Sequence, residues 1–413
     1  MRKKCLPMVL GVCLVLLGMV LGSGVNAQAA PKTIKLSTVV SLTGNMAANG
    51  SQCKTGYEIF TKKVNDEGGI YVKEYGKRIP IELKVLDDES SGLKTQAQLE
   101  VANSWGAVAN LGGLGCASFE MGTPVAMKNK MVWIGPGCGG WMPHQLGNTW
   151  LFSIFMKTPF FSPLVFDMLM NQLQPRPNKV AIFEINQLDC QEAALYWRQA
   201  AQLHGFEIVF DQKYPAGTKD FSALITGAKA AGAEILLAYP VPPMGPAIVK
   251  QMKELDFSPK LTFWVRAPES TTFGPSLGEL SDYVTTPVAW SNKLNLPGND
   301  YIRKAHQEMH GRPPEPVVGS AFLAGQVLAN AIEKAGTLDR TAIRDAVRNT
   351  DTDNTVVGRI RFSDQGWVVD RPLFVLQWMG GDMKIVHTNE HGQKYKDMIP
   401  LTPLKWQPKW SER

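Results

Sequence analysis

The segment that decides the fold reads IKLSTVVSLTGNMAANGSQCKTGYEIFTKKVNDEGGI and covers residues 34–70. Its first part, Ile34–Val40, is rich in β-branched side chains, which favour a strand. Apolar side chains then recur at helical spacing over residues 50–67, and the glycine pair at 68–69 is a typical helix end. Since residues 79–86 again have strand character, this part of the chain predicts a β-α-β unit with parallel strands.

The same alternation continues beyond the opening unit in two successive series. The first has helix-like residues 94–104 and 119–128 and strand-like residues 107–111 and 131–134. The second has helix-like residues 162–174, 192–204, 221–231 and 244–255 and strand-like residues 179–184, 208–214, 235–239 and 261–265. We therefore predict an α/β protein with two Rossmann-like lobes, each a parallel sheet covered by helices on both faces. Helices predicted at 300–310, 317–335 and 341–350 have no strand between them and are expected to return to the first lobe.

The first thirty residues have the features of a cleaved secretory signal. Three basic residues at 2–4 precede an apolar run from Leu6 to Leu21, and small residues at Ala27–Ala30 provide a cleavage site. The run is shorter than the ~20 residues of a membrane-spanning helix. An uncleaved anchor is the alternative, and a lipid anchor is disfavoured because Val12 precedes Cys13. We therefore expect a soluble periplasmic protein whose signal is removed near Ala27–Ala30.

Charge and motifs narrow the class of function. The formal charge of +6 falls to +3 without the three positive charges of the signal, and acidic and basic residues are interspersed throughout. This balance argues against a nucleic-acid partner. After the signal there is no G-x-S-x-G, H-E-x-x-H or P-loop motif, so we expect neither an enzyme nor a cofactor.

Four cysteines follow the signal, namely Cys53, Cys116, Cys138 and Cys190. No C-x-x-C pair exists, which disfavours a structural zinc site. Each of the four lies where a predicted helix begins or where a predicted strand ends. A Cys116–Cys138 or a Cys53–Cys116 disulfide is possible if the Cα atoms approach within about 7 Å. A soft-metal site or free buried thiols are the alternatives.

Six short segments, in order from about residue 34 to residue 385, carry a resemblance to a known family. They are Ile34–Gly44; Gly50, Gly56 and Asn65–Ile70; Asp87–Glu89; Tyr214–Ser222; Ala331–Gly336; and Gly358 with Phe362–Gly366. No single segment is specific for one family, but the occurrence of all six in this order over nearly the whole mature chain is specific. On these residues the chain resembles the type I periplasmic binding proteins, and within them the leucine/isoleucine/valine-binding branch that serves ABC importers.

The resemblance implies two lobes joined by three crossovers, with a ligand cleft between them. The implied domains are an N-terminal lobe at 31–155 and 289–357, a C-terminal lobe at 156–288 and 358–385, and a tail at 386–413. From Met398 onward the sequence has no clear period, and this part is expected to lie extended on the surface. The crossovers are expected near residues 154–158, 285–289 and 356–361. Closure about these crossovers would bring both lobes onto the ligand.

In the first lobe, two glycine-rich loops at residues 112–118 and 135–140 follow strands, where doubly wound sheets bind ligands. The resemblance implies that these loops hold a ligand carboxylate through backbone N–H groups and hydroxyls. The residues implied are Cys116, Ala117, Ser118, Cys138 and Gly139. Cys116 stands where the family usually has a serine and Gly139 where it usually has a threonine, and Ser118 is a substitute hydroxyl. A simple strand-to-helix turn is the alternative.

The second lobe departs further from the family. Asp189 and Cys190 replace a Tyr-Gly pair, Tyr239 is followed by Pro240, and Arg266 stands in place of an acidic residue, with Glu269 slightly beyond. Asp189 is a candidate partner for a ligand ammonium, and Arg266 is a candidate for a second carboxylate. Each is equally compatible with a solvated charge at the rim.

In the first loop, Asn49 stands where the family often places an aromatic residue against the ligand side chain.

By this resemblance, the chain is expected to be a monomeric solute-binding protein that delivers a small carboxylate, of the branched-chain amino acid type, to the permease subunits of an ABC importer. Two alternatives stay open. One is a ligand such as an aromatic acid, a dicarboxylate or a small amide, and the other is a sensory role. No catalytic or metal-binding residue is expected.

Overall fold

A computed structural model describes residues 29–145, 147–172 and 176–413. The predicted signal peptide at 1–30 lies outside these residues except for its last two positions. Over the described ranges, no helix is long and apolar enough to cross a membrane.

The first lobe is built on a five-stranded sheet. Its part of the chain contains β1 (Ile34–Val40), α1 (Ala47–Asp66), β2 (Ile70–Val72), β3 (Lys77–Ile79), β4 (Ile81–Asp87), α2 (Gly92–Trp105), β5 (Ala109–Gly112), α3 (Cys116–Lys128), β6 (Val132–Gly135), α4 (Met142–Gln145) and β7 (Leu151–Ser153). The strand order is β4-β1-β5-β6-β7 and every pairing is parallel. Strands β2 and β3 form a separate hairpin.

The second lobe is built on a seven-stranded sheet. It contains α5 (Thr158–Phe161), α6 (Leu164–Gln172), β8 (Lys179–Ile185), α7 (Leu188–His204), β9 (Glu207–Tyr214), α8 (Ser222–Ala230), β10 (Ile235–Ala238), α9 (Met244–Glu254), β11 (Leu261–Trp264), α10 (Phe273–Leu277) and β12 (Val284–Val288). The chain then forms α11 (Asn299–His310), α12 (Pro316–Ala335), α13 (Arg340–Arg348), β13 (Asp351–Thr352), β14 (Ile360–Phe362), β15 (Val368–Val369), β16 (Phe374–Met379), β17 (Asp382–Thr388) and α14 (Glu390–Gln393). The sheet order is β17-β16-β12-β11-β10-β8-β9. The predicted α/β architecture is therefore confirmed, with an all-parallel first sheet and a second sheet that is parallel from β12 to β9.

Helix α12 returns to the first lobe, as predicted, and packs closely along α1. The close approach requires Gly56, because a Cβ atom there would lie 2.3 Å from the carbonyl oxygen of Val318 and 2.7 Å from the Cβ of Ala321. Fourteen of the residues of α12 are buried. This helix covers the sheet behind the loops that form the cleft.

Two elements differ from the prediction. The helix predicted at 162–174 begins at Leu164 as α6, after Pro163, and the short helix α5 at 158–161 was not predicted. Residues 173–174 lie outside the described part. Strands β16 and β17 add an antiparallel hairpin to the edge of the second sheet beside β12. No strand was predicted there from the sequence.

The chain crosses between the lobes three times. The first two crossings follow β7 and β12, and the third lies at residues 370–373, beyond the predicted 356–361. Residues 360–369 stay with the first lobe, since the Ser153 N–H donates to the carbonyl oxygen of Gly366 at 2.9 Å. The buried guanidinium of Arg371 donates to the carbonyl oxygens of Ile154 and Ala289, so one side chain joins all three crossings.

The predicted tail at 386–413 begins inside β17, whose last residues 386–388 are part of the second sheet, and its end packs on the same lobe. The Trp410 indole N–H donates to the carbonyl oxygen of Phe257 at 2.8 Å, and the Gln407 N–H donates to that of Lys260 at 2.9 Å.

Candidate functional site

Two loops of the first lobe form one wall of the cleft. They follow β5 and β6 and continue the parallel pairing of those strands. The Gly115 N–H donates to the carbonyl oxygen of Gly137 at 2.9 Å, and the Gly137 N–H donates to that of Gly113 at 2.9 Å. The spacing of the two loops is therefore fixed by the sheet itself.

A disulfide between Cys116 and Cys138 also joins these loops, with Cα atoms 4.6 Å apart. It is one of the two pairings that the sequence left open. Cys53 and Cys190 are free and buried, and burial raises the pKa of both thiols. Among the described residues, no group of three or more His, Cys, Asp or Glu side chains is arranged to hold a metal ion.

Helix α3 points its N-terminus at the cleft. Its first turn contains the N–H groups of Ala117 and Ser118, which have no partner within the helix and favour an anion. The Ser118 hydroxyl donates its only proton to Asp88, at 3.0 Å. It is therefore engaged already and does not replace the donor that Cys116 lacks.

A residue of the opposite lobe explains why position 139 is a glycine and not a threonine. A Cβ atom at this position would lie 2.7 Å from the hydroxyl oxygen of Tyr239. The Tyr239 side chain thus occupies the space that a threonine would take, and the two lobes touch here.

A buried cation lies behind the loop that carries Cys138. The Nζ atom of Lys157 donates to the carbonyl oxygens of Cys138 at 2.5 Å and Gly140 at 3.2 Å. Burial lowers the pKa of this ammonium to about 7, while Glu192 acts in the opposite direction. Because Lys157 belongs to the first crossing, it connects the loop to the hinge. No motif in the sequence indicated this residue.

In the second lobe, three predicted site residues bind one another. The Arg266 guanidinium forms an ion pair with Asp189 and lies over the Tyr239 ring, 4.3 Å from its centroid. All three side chains are buried, as is Pro240. Asp189 therefore neutralises the charge of Arg266, whereas separate ligand roles were predicted for the two residues.

Glu269, which was predicted to lie slightly beyond the expected acidic position, is buried in the cleft. It is 1% exposed, and neither carboxylate oxygen has a hydrogen-bond partner among the described residues. Burial raises the pKa of this carboxyl to about 8, and the Arg266 charge opposes the shift. The short 3-10 turn Ala267–Glu269 brings the side chain into the cleft. The sequence signal for this residue was an acidic side chain slightly beyond the expected position, with Pro268 just before it.

The two lobes meet in a closed arrangement. The Gln52 side-chain amide donates to the carbonyl oxygen of Glu269 at 2.9 Å, and the Thr271 hydroxyl donates to that of Ala48 at 3.4 Å. Asn49 is fully buried in the first turn of α1 beside these contacts. Both polar atoms of its amide lack a partner in the part of the chain that the structure describes.

The cleft contains two adjoining cavities. The inner cavity has a volume of about 10 Å³ and the outer one about 250 Å³. Both are lined by Leu114–Cys116, Asp189 and Arg266. Only the inner cavity also reaches Cys138, Gly139, Phe155, Tyr239 and Glu269. Ala117 and Ser118 line the outer cavity, whereas Asn49 and Pro240 line neither.

A larger cavity of about 1140 Å³ lies at the crossings, lined by residues such as Phe160, Arg361 and His387. It is lined by Lys157 of the first crossing, but by none of the residues in the loops that follow β5, β6, β10 and β11. The interlobe cleft is therefore the better candidate site, because doubly wound sheets bind ligands at those ends.

This fold and cleft define a two-lobed binding protein. The periplasmic binding protein family matches residues 33–382, and the chain belongs to this family. The resemblance found in the sequence is thereby confirmed. In sequence, the chain is 20% identical over 387 residues to the Leu/Ile/Val-binding protein homolog 7 of Brucella abortus, covering 88% of this chain and 94% of that protein.

Solved structures share the fold. A leucine-binding protein from Thermotoga maritima matches with a TM-score of 0.76 at 18% identity, covering 86% of this chain and 98% of that one. A solute-binding protein of an ABC transporter from R. palustris, in complex with benzoate, matches with a TM-score of 0.74 at 15% identity, covering 86% and 96%.

Proposed function

We propose that this chain is the solute-binding protein of an ABC importer and that it binds an α-amino acid between its lobes. The signal at residues 1–30 directs it to the periplasm and is cleaved near Ala27–Ala30. The ligand-bound protein then docks, as a monomer, on the permease subunits. The branched-chain amino acids named for its relatives are the reference ligands.

The observation that carries this proposal is the unpaired, buried carboxyl group of Glu269. A buried carboxylate is costly unless it is paired, and an ammonium group supplies the missing charge and donors. The neighbouring cation does not do so, because Arg266 is already paired with Asp189. The opposite wall offers free N–H groups at the start of α3, which suit a carboxylate. The two walls together complement a zwitterion.

Binding and closure are linked in this scheme. The ligand contacts both lobes only when they are closed, so it shifts the open–closed equilibrium toward the closed form. The permease recognises that form. No residue of the cleft is required to make or break a covalent bond.

A thermal-shift screen of the mature protein tests the proposal. The panel contains α-amino acids, benzoate, dicarboxylates and small amides. A ligand present at 100 times its Kd is expected to add about 2.7 kcal/mol to the free energy of unfolding. Stabilisation by α-amino acids supports the proposal, whereas stabilisation by benzoate or a dicarboxylate alone would overturn it. The ligand found in this way is then offered to a strain from which the gene for this protein has been deleted. Loss of uptake in that strain would indicate transport rather than sensing.

A further inference from the structure

The sizes of the two cavities constrain how a ligand lies in the cleft. The inner cavity, at about 10 Å³, holds about one water molecule. An ammonium group fits there against Glu269, but a whole amino acid does not. The remainder of the ligand must occupy the outer cavity of about 250 Å³.

The outer cavity, at about 250 Å³, is larger than a small aliphatic side chain needs, and part of its wall is apolar. Met46, Leu114, Leu188 and Val241 supply this part. The hydroxyls of the lining serines are already engaged: those of Ser41 and Ser118 donate to Asp88, and that of Ser90 donates to the carbonyl oxygen of Thr43. They leave few donors for the far end of a ligand.

One carboxylate in the outer cavity stands out because it has no basic partner. Glu120 lies on α3 and is half-buried, and no Lys, Arg or His of the described ranges lies within ion-pair distance of it. Burial raises the pKa of its carboxyl, and the negative charges of Asp189 and Glu192 add to this effect. This half-buried carboxyl group is thus an acceptor that carries negative charge when ionised.

The ionisable groups of the two cavities have an acidic excess. Glu120, Asp189 and Glu269 are opposed only by Arg266 among the lining residues. A zwitterionic ligand with an uncharged side chain leaves this excess uncompensated. A ligand with a second cationic group compensates part of it.

We propose that the ligand is an α-amino acid whose side chain ends in a cationic group, with its α-ammonium against Glu269 in the inner cavity and its side chain directed through the outer cavity to Glu120. This assignment rests on the proposed function and narrows its ligand class. Glu120 then determines specificity, and Glu269 is required for any amino acid.

Calorimetric titration of the mature protein with L-lysine and L-norleucine tests the assignment, since norleucine has the same carbon chain without the terminal ammonium. L-arginine and L-leucine extend the comparison. Lysine or arginine is expected to bind at least about tenfold more tightly than norleucine. In Glu120→Gln, which keeps the shape of the side chain, the ratio of the two affinities is expected to fall to about one. The exposed Glu279 of the same protein provides the matched control Glu279→Gln, which should keep the wild-type ratio.

The outcomes separate this inference from the proposed function. If norleucine or leucine binds wild-type protein as tightly as lysine, the cationic assignment is wrong, although the amino-acid function stands. The same holds if Glu120→Gln retains the preference for lysine. If no amino acid binds, the proposed function itself fails. The wild-type comparison needs no variant, so it remains decisive even if Glu120→Gln does not fold.

Discussion

The most informative perturbation is a change of pH, because Glu269 is expected to change its charge when ligand binds. In the closed cleft its carboxyl has a pKa of about 8, above the ordinary value of 4.5. At pH 6 to 7 the empty closed cleft therefore holds a proton at Glu269. A ligand ammonium stabilises the ionised carboxylate and lowers this pKa. Binding should then release a proton.

The sign of the pH dependence follows from this release. The empty protein holds more protons than the complex, so affinity rises with pH until the pH reaches about 8. The upper limit is about tenfold in affinity for each pH unit, and thus about 100-fold between pH 6 and pH 8. Opening of the empty cleft exposes Glu269 to water and reduces the slope below this limit.

Isothermal titration calorimetry at several pH values measures the slope. Repeating the titration in buffers with different ionisation enthalpies measures the number of protons released directly. We expect the wild-type protein to release up to one proton per ligand bound. This release should be absent in Glu269→Gln, which has no carboxyl group at this position. Affinity that falls as the pH rises, or an unchanged slope in Glu269→Gln, would refute the role given to this carboxylate.

Two further predictions concern the loops of the first lobe. Replacing Cys116 and Cys138 by serine opens a loop with a sequence separation of 22 residues, and chain entropy predicts a loss of about 3 kcal/mol in the free energy of unfolding; a denaturant midpoint equal to that of wild type would contradict this. Gly139→Ala places a Cβ atom against the Tyr239 hydroxyl and should weaken ligand binding by about tenfold. Gly139→Ala combined with Tyr239→Phe should recover most of the affinity, and failure to do so would show that the contact does not cause the loss.

Much of the fold was predictable because its elements are local patterns. The alternation of strand and helix in the sequence predicted both sheets, and the run of helices after β12 predicted their return to the first lobe. The third crossing was not predictable in detail. It depends on contacts such as that of Arg371 with Ile154 and Ala289, which are distant in sequence.

The candidate site was predictable only in part. Glycine-rich loops after strands indicated the positions of Cys116 and Cys138, and the ends of β10 and β11 indicated Tyr239 and Arg266. The pairing of Asp189 with Arg266 joins residues 77 positions apart and leaves no local signal. The side chain of Glu269 points into the cleft because of one short turn. The pattern of strands and helices in the sequence does not predict that turn.

The central claim is that the cleft binds an amino acid through the buried carboxylate of Glu269. The most direct test is a titration of wild-type protein and Glu269→Gln, side by side, with the best α-amino acid ligand from the screen. We expect saturable binding of one ligand per chain in wild-type protein and an affinity about 100-fold weaker in a correctly folded Glu269→Gln. Equal affinity in the two proteins would contradict it.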